Sequence, residues 1–243
     1  MKITLLTENS VSEKAWRTCI AEWGLSALIE FEGKKILFDT GMTYVYIKNA
    51  KALGVDLEDV DVIALSHKDP DHIGGLKLWK SSEKKQLVAH PITIERISGN
   101  FEIKSTSATL EFLPNAFFLG EIPRVMKFEI GQRGSDKMLD DSALAFKTKN
   151  GTIVVITGCS HPGICNICEY AKKITGQKLY AVIGGFHLSH AAESLLDDTI
   201  NYFKSEKLKL IYPMHCVDMP ALSRFYIEFG ITKVSAGDTI KID

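Results

Sequence analysis

Two imidazoles and two carboxylates fall within one short stretch of this chain, His67-Lys68-Asp69-Pro70-Asp71-His72. An apolar run, Val62 to Leu65, leads directly into it, and Pro70 with Gly74-Gly75 keeps the segment from continuing as one regular helix or strand. A loop at the end of a buried strand that concentrates four such groups is unfavourable unless a cation sits among them. An isolated buried charge costs more than a fold can spare. Imidazole together with carboxylate suits zinc, iron or manganese, whereas an all-oxygen set would point to calcium or magnesium.

The same placement recurs along the chain. The run Ile153 to Ser160 ends at His161, Tyr180 to Phe186 ends at His187, and Leu210 to Met214 ends at His215. Ligand sites in α/β folds lie beyond the carboxyl ends of strands, where loops converge. Four strand–histidine endings, with His72 beside the first, therefore predict a metal site. Its expected ligands are His67, Asp69, Asp71, His72, His161 and His215, with His187 at the rim or as a further ligand. They outnumber the needs of one tetrahedral zinc, so two divalent metal ions are expected, with zinc ahead of iron or manganese. Two such ions about 3.5–4 Å apart activate a water and stabilise a leaving oxygen.

The elements that must position these groups are legible from pattern. Strands are expected at Ile3 to Leu6, Leu25 to Phe31, Lys35 to Phe38 and Val62 to Leu65, with a helix from Tyr44 to Leu53 stopped by Gly54 and another starting over Gly75 to Lys80. From Gln86 to Phe128 short strands alternate with turns, and Gly131 to Asp141 reads as a surface loop. Ser142 to Phe146 and Thr152 to Thr157 form a hairpin through Asn150-Gly151. Strands at Leu179 to Ile183 and Leu208 to Tyr212 then alternate with helices near Ile164 to Ile174, Ala192 to Lys204 and Met219 to Phe229. A final strand pair, Lys233 to Ser235 with Thr239 to Ile242, is expected around Gly237-Asp238. Hairpins first and strand–helix units later predict a mixed α/β layered fold, read as one domain over residues 1–243.

At these residues the chain resembles the metallo-β-lactamase superfamily and its His-x-His-x-Asp-His loop. Asp69 stands where the second histidine of that pattern would be, an anionic oxygen in place of a neutral nitrogen. Asp39-Thr40-Gly41 resembles the family's early Asp-Thr-Gly, and His215 its last-strand ligand. Within the superfamily the chain is similar to the branch of dihydropterin–ribofuranosylaminobenzene phosphate synthases. That similarity is carried by Gly24-Leu25-Ser26, Ser66-His67, Asp71-His72, Gly158-Cys159-Ser160-His161-Pro162-Gly163-Ile164 and Gly184-Gly185-Phe186-His187-Leu188. Three departures stand out. Trp23 replaces an expected histidine, the histidine before the Ser142 strand is missing, and the bridging Gly-Asp is Gly158-Cys159. The resemblance implies a four-layer αββα sandwich with the site at one edge of the paired sheets. It also implies a bridging role for Cys159 or His161, and for Asp71 a catalytic role as metal ligand and proton-steering group.

Other groups carry weaker signals. Asp39 is expected to orient a ligand imidazole, and Arg133 and Lys137 are candidates for holding an anionic substrate. His90 reads as a loop histidine, His190 as a helix-start residue, and Asp140-Asp141 as two solvated acids. Cys159, Cys165, Cys168 and Cys216 lack the spacing of a ferredoxin cluster, and Cys165 and Cys168 read as packing thiols. The chemistry expected is metal-dependent hydrolysis or group transfer on a small, phosphorylated or pterin-like substrate. An iron-containing redox protein using the metal site or cysteines is the alternative, and a metal-free binding domain comes third. Charge is balanced, 29 basic against 30 acidic side chains, with no basic stripe for nucleic acid and no stretch of membrane-spanning length. Five cysteines without a secretion signal fit a cytoplasmic protein.

Overall fold

Three strands open the chain as an antiparallel meander, β1 (Lys2–Thr7), β2 (Ser26–Phe31) and β3 (Lys34–Phe38), with Glu32 and Gly33 turning between the last two. After β3 the pairing becomes parallel. Helix α1 (Val45–Ala52) carries the chain to β4 (Val62–Ala64), α2 (Pro70–Ile73) to β5 (Lys85–Ala89), and α3 (Pro91–Ile94) to β6 (Phe101–Ser105). Parallel neighbours need crossovers of this kind, and each crossover returns the chain to the same sheet edge. The residues after β3 and β4, Asp39 and Ser66-His67, therefore leave the sheet side by side. The C-terminal strand, Thr239–Lys241, closes the other edge against β1, giving a seven-stranded sheet in a computed structural model that describes residues 1–242.

Leu28, Leu37, Ile63 and Leu87 point to one face of this sheet and pack on Tyr46 and Ala50 of α1. Alternation puts Ile29, Ile36, Val62 and Val88 on the opposite face, and these are buried as well. Such a sheet reads as near-continuous apolar runs, as Val62 to Leu65 does.

A second compact unit runs from Ser107 to Lys233. Strands β7 (Leu110–Leu113), β8 (Ala116–Phe118), β9 (Ala143–Lys147) and β10 (Thr152–Thr157) pair antiparallel in sequence order. Then α4 (Ile164–Thr175), β11 (Lys178–Gly185), α5 (Glu193–Glu206), β12 (Leu210–Met214) and α6 (Met219–Phe229) form parallel strand–helix units. Ala143, Ile153, Val155, Val182 and Ile211 meet Ile164, Ala171, Phe203 and Phe225 of the helices in one apolar cluster. The parallel trio β10, β11 and β12 delivers the loops carrying His161, His187 and His215 to one edge of its sheet. The mixed α/β class is as expected: two sheets, each with helices against one face.

Two expectations need correction. The helix over Gly75 to Lys80 instead starts at Pro70, after Asp69 as the capping position, and Gly74–Leu78 is a 3-10 segment. Proline suits the first helical position because its ring presets φ and its missing N–H would have no intrahelical partner there. Lys233 to Ser235 is not a strand. Instead, Asp238 N–H donates to Ser235 C=O (3.0 Å), and the Asp238 carboxylate accepts from Ser235 N–H (3.0 Å). That local turn takes the backbone groups a hairpin would need.

Candidate metal centre

In the first unit the chemistry is organised by Asp39. It occupies the left-handed backbone region (φ 54°) just beyond β3 and is fully buried. One carboxylate oxygen accepts the Ser66 N–H at 2.7 Å; the other accepts the Ser66 hydroxyl at 2.7 Å and lies 2.7 Å from His72 Nδ1. Because the Ser66 hydroxyl donates to Asp39, its oxygen is available to accept from His67 Nδ1, 2.8 Å away. One carboxylate thus fixes both rings, directly for His72 and through a hydroxyl for His67. With the proton held on Nδ1, a neutral ring carries its lone pair on Nε2, the usual arrangement of a metal-binding histidine.

The two acids of the loop stand beside those nitrogens. Asp69 Oδ2 is 3.4 Å from His67 Nε2, and Asp71 Oδ2 is 3.8 Å from His72 Nε2. Two ligands each about 2 Å from one tetrahedral ion lie roughly 3.3 Å apart, so the donor set fits a divalent metal. The His67 and His72 rings are 4.2 Å apart at their centroids. Backbone contacts lock the loop in place. Thr40 N–H and hydroxyl donate to His72 C=O, Leu25 N–H to Asp71 C=O, and Gly75 N–H to Gly41 C=O. The two glycines are required by proximity: a Cβ on Gly75 would lie 2.2 Å from Thr40 O, and one on Gly74 2.5 Å from Met42 O.

The second unit repeats this plan. Asp141 is fully buried, and its Oδ2 accepts the His161 N–H at 2.7 Å and lies 2.7 Å from His161 Nδ1. Sequence reading set Asp140-Asp141 aside as solvated acids; both are buried, and Asp141 orients a candidate ligand. His187 is exposed, with its ring 4.4 Å from that of His161, and its N–H donates to Cys216 Sγ at 3.2 Å. Cys159 and His215 are buried, and His215 adopts φ 56° directly after β12. The three loops are stitched together: Gly185 N–H donates to Gly158 C=O, Leu188 and Ser189 N–H to Cys216 C=O, and His190 N–H to the Asp218 carboxylate.

The start of α4 is pinned by groups that sequence reading missed. Glu129 accepts the N–H groups of Cys165 and Asn166 at 2.9 and 2.8 Å, while burial pushes its carboxyl above the ordinary range. The Asn166 side chain accepts from Val125 and Met126 and donates to Pro162 C=O. Polar partners reached across some forty residues leave no short-range sequence signal.

The remaining candidates fall outside these clusters. Arg133 lies on an exposed turn closed by reciprocal backbone bonds with Asp136. His90 caps α3, accepting from Ile92 N–H, and His190 is exposed. Cys165 and Cys168 are fully buried in the apolar cluster, and burial drives both thiols well up. They are packing residues.

The model of the metallo-β-lactamase superfamily matches residues 24–172. The chain is 33% identical to a 7,8-dihydropterin-6-methyl-4-(β-D-ribofuranosyl)-aminobenzene-5′-phosphate synthase of Methanocaldococcus jannaschii, over 91% of this chain and 90% of that one. It is 32% identical to an uncharacterised protein of the same organism, over 91% and 93%. A crystal structure of a metal-dependent hydrolase of the β-lactamase superfamily superposes with a TM-score of 0.85 at 28% identity, covering 100% of this chain and 99% of the other. Alike in fold and in sequence, the chain belongs to the metallo-β-lactamase superfamily.

Proposed function

We propose that this protein is a metal-dependent hydrolase or transferase with two divalent metal ions, and the residues assigned as their ligands are His67, Asp69, Asp71, His72, Cys159, His161 and His215. The observation that carries the reading is the paired orientation of imidazoles by buried carboxylates, Asp39 to His72 and Asp141 to His161, both at 2.7 Å. A metal-binding histidine almost always donates its other ring N–H to a partner of this kind. When bound, such ions lower the pKa of a water to give hydroxide and polarise the bond to be broken.

The chain's own groups do the rest. Asp39 and Asp141 hold the imidazole protons away from the metal-facing nitrogens. Asp71, 15% exposed at its side chain, is the group assigned to receive and pass on the water's proton. His187, exposed beside His161, is assigned to the substrate side of the site. Zinc is the first choice of metal. Asp69, an oxygen where the family pattern has a nitrogen, keeps iron and manganese in contention.

The substrate class is a small molecule, and the synthase relative adds pterin phosphates to those worth testing. Five free cysteines fit a reducing compartment, which we take to be the cytoplasm, and among the described residues no helix is long and apolar enough to cross a membrane. The test is elemental analysis of the purified protein, then a screen over phosphodiesters, lactones, thioesters and pterin phosphates with each metal restored. Turnover that chelation abolishes and metal restores is the expected result. Turnover indifferent to chelation would reject it.

A further inference from the structure

Beside the His67–His72 loop the first unit contains a cleft of about 450 Å³. Ile73, Leu76 and Ile97 give it an apolar lining, and three cationic side chains line it as well, Lys68, Lys77 and Arg96. Lys77 and Arg96 are exposed, and neither forms an ion pair with a carboxylate among the described residues. Asp69 also lines the cleft, with the same carboxylate that stands 3.4 Å from His67 Nε2. The cleft therefore opens onto a proposed metal ligand.

Three cations and an apolar lining in one cleft match a small molecule with an anionic group joined to a flat or apolar body. Asp69 is the one acid in the wall, and a metal bound to it would offset its charge. We propose that this cleft is the substrate's anion subsite, taking a phosphate monoester on an aromatic or similarly apolar body, with Lys77 and Arg96 as specificity-determining contacts. The proposal rests on the metal-centre reading only for what the bound molecule is positioned towards.

The probe is phenyl phosphate, titrated at low ionic strength into metal-free and zinc-loaded protein, with phenol as the uncharged control. The comparison is with the double variant Lys77→Gln/Arg96→Gln, whose exposed positions leave the fold intact; zinc content of both proteins is measured in parallel. Binding that weakens about tenfold in the variant, with zinc content unchanged, is the expected result. A change of less than about threefold overturns the proposal, since the anion would then sit on the metal or elsewhere. Phenol binding as tightly as phenyl phosphate overturns it too, as does absence of phenyl phosphate binding in both forms of the parent protein. If the parent takes up no zinc yet binds phenyl phosphate in a Lys77- and Arg96-dependent way, the subsite stands and the metal reading fails.

Discussion

Asp39 Oδ2 lies 2.7 Å from His72 Nδ1, with both side chains fully buried, and the same oxygen receives the Ser66 hydroxyl that leads on to His67. A single carboxylate therefore sets the tautomer of two candidate ligands. Asn at position 39 can keep one acceptor for the Ser66 N–H but turns an amide NH2 towards the His72 ring. The Asp39→Asn variant should stay folded and lose roughly 10- to 100-fold in zinc affinity. Ser66→Ala should produce a smaller loss, confined to His67. Competition with a chromogenic chelator measures both, and unchanged affinity in Asp39→Asn would remove Asp39 from its positioning role.

Asp141 tests the second unit separately. Its one oxygen serves both the backbone N–H and the ring of His161. Asp141→Ala leaves a buried N–H without its acceptor and should lower stability by about 1–3 kcal/mol, as well as weakening metal binding. Urea denaturation of the metal-free protein isolates the first effect. A midpoint within error of the parent would contradict it.

How far these contacts were visible beforehand depended on range. Strand ends carrying His67, His161, His187 and His215 could be read because each follows an apolar run with strand chemistry. The Asn150-Gly151 hairpin was equally plain. That hairpin contained more than was drawn from it: its register sets Thr157 opposite Ala143, so residues just before β9 and just after β10 must be neighbours. Asp141 beside His161 was implied, but a pair of acids before a strand looks solvated when taken alone. Glu129 and Asn166 had no such clue, since their partners are fixed only by tertiary packing. The four-residue α2 is too short to show periodicity, so in the sequence its first residue, Pro70, has the look of a breaker.

Gly75 separates close approach from backbone freedom. Its substitution by alanine puts a methyl against two backbone carbonyls, Thr40 O at 2.2 Å and Thr43 O at 2.5 Å. A loss of about 2–3 kcal/mol is expected, together with weaker metal binding as the loop shifts. Gly54, at φ +69° with open space around it, should lose about 1 kcal/mol as alanine and bind metal normally. Equal costs at the two positions would refute the steric account.

Asp218 joins the loop after β11 to the start of α6, accepting the His190 N–H at 2.7 Å and the Ala221 N–H at 3.1 Å. These backbone donors hold its carboxyl below the ordinary range. Its contribution is therefore present above the unfolded carboxylate pKa near 3.9 and is lost as pH falls through the lower folded value. Asp218→Ala should cost about 1 kcal/mol at neutral pH, and the gap from the parent should narrow in acid. A gap that widened in acid would reverse the sign of this argument.

Substitution of Asp69 tests the metal preference. If it binds metal, Asp69→His should move competition between zinc and manganese at fixed pH towards zinc, because imidazole suits zinc and anionic oxygen suits harder cations. Asp71→Ala, which should lose metal, is the control. Unchanged preference in Asp69→His, with metal lost in that control, would place Asp69 outside the coordination sphere.

The central claim is that the chain holds two divalent ions, with His67 and His161 among the residues that bind them. Metal stoichiometry after equilibrium dialysis against zinc tests it most directly, in the parent protein and in His67→Ala and His161→Ala. The account predicts about two zinc ions per chain in the parent and a loss in each variant, as expected of a two-ion centre. A parent that binds none, or two variants that both keep the parent's full complement, would contradict it.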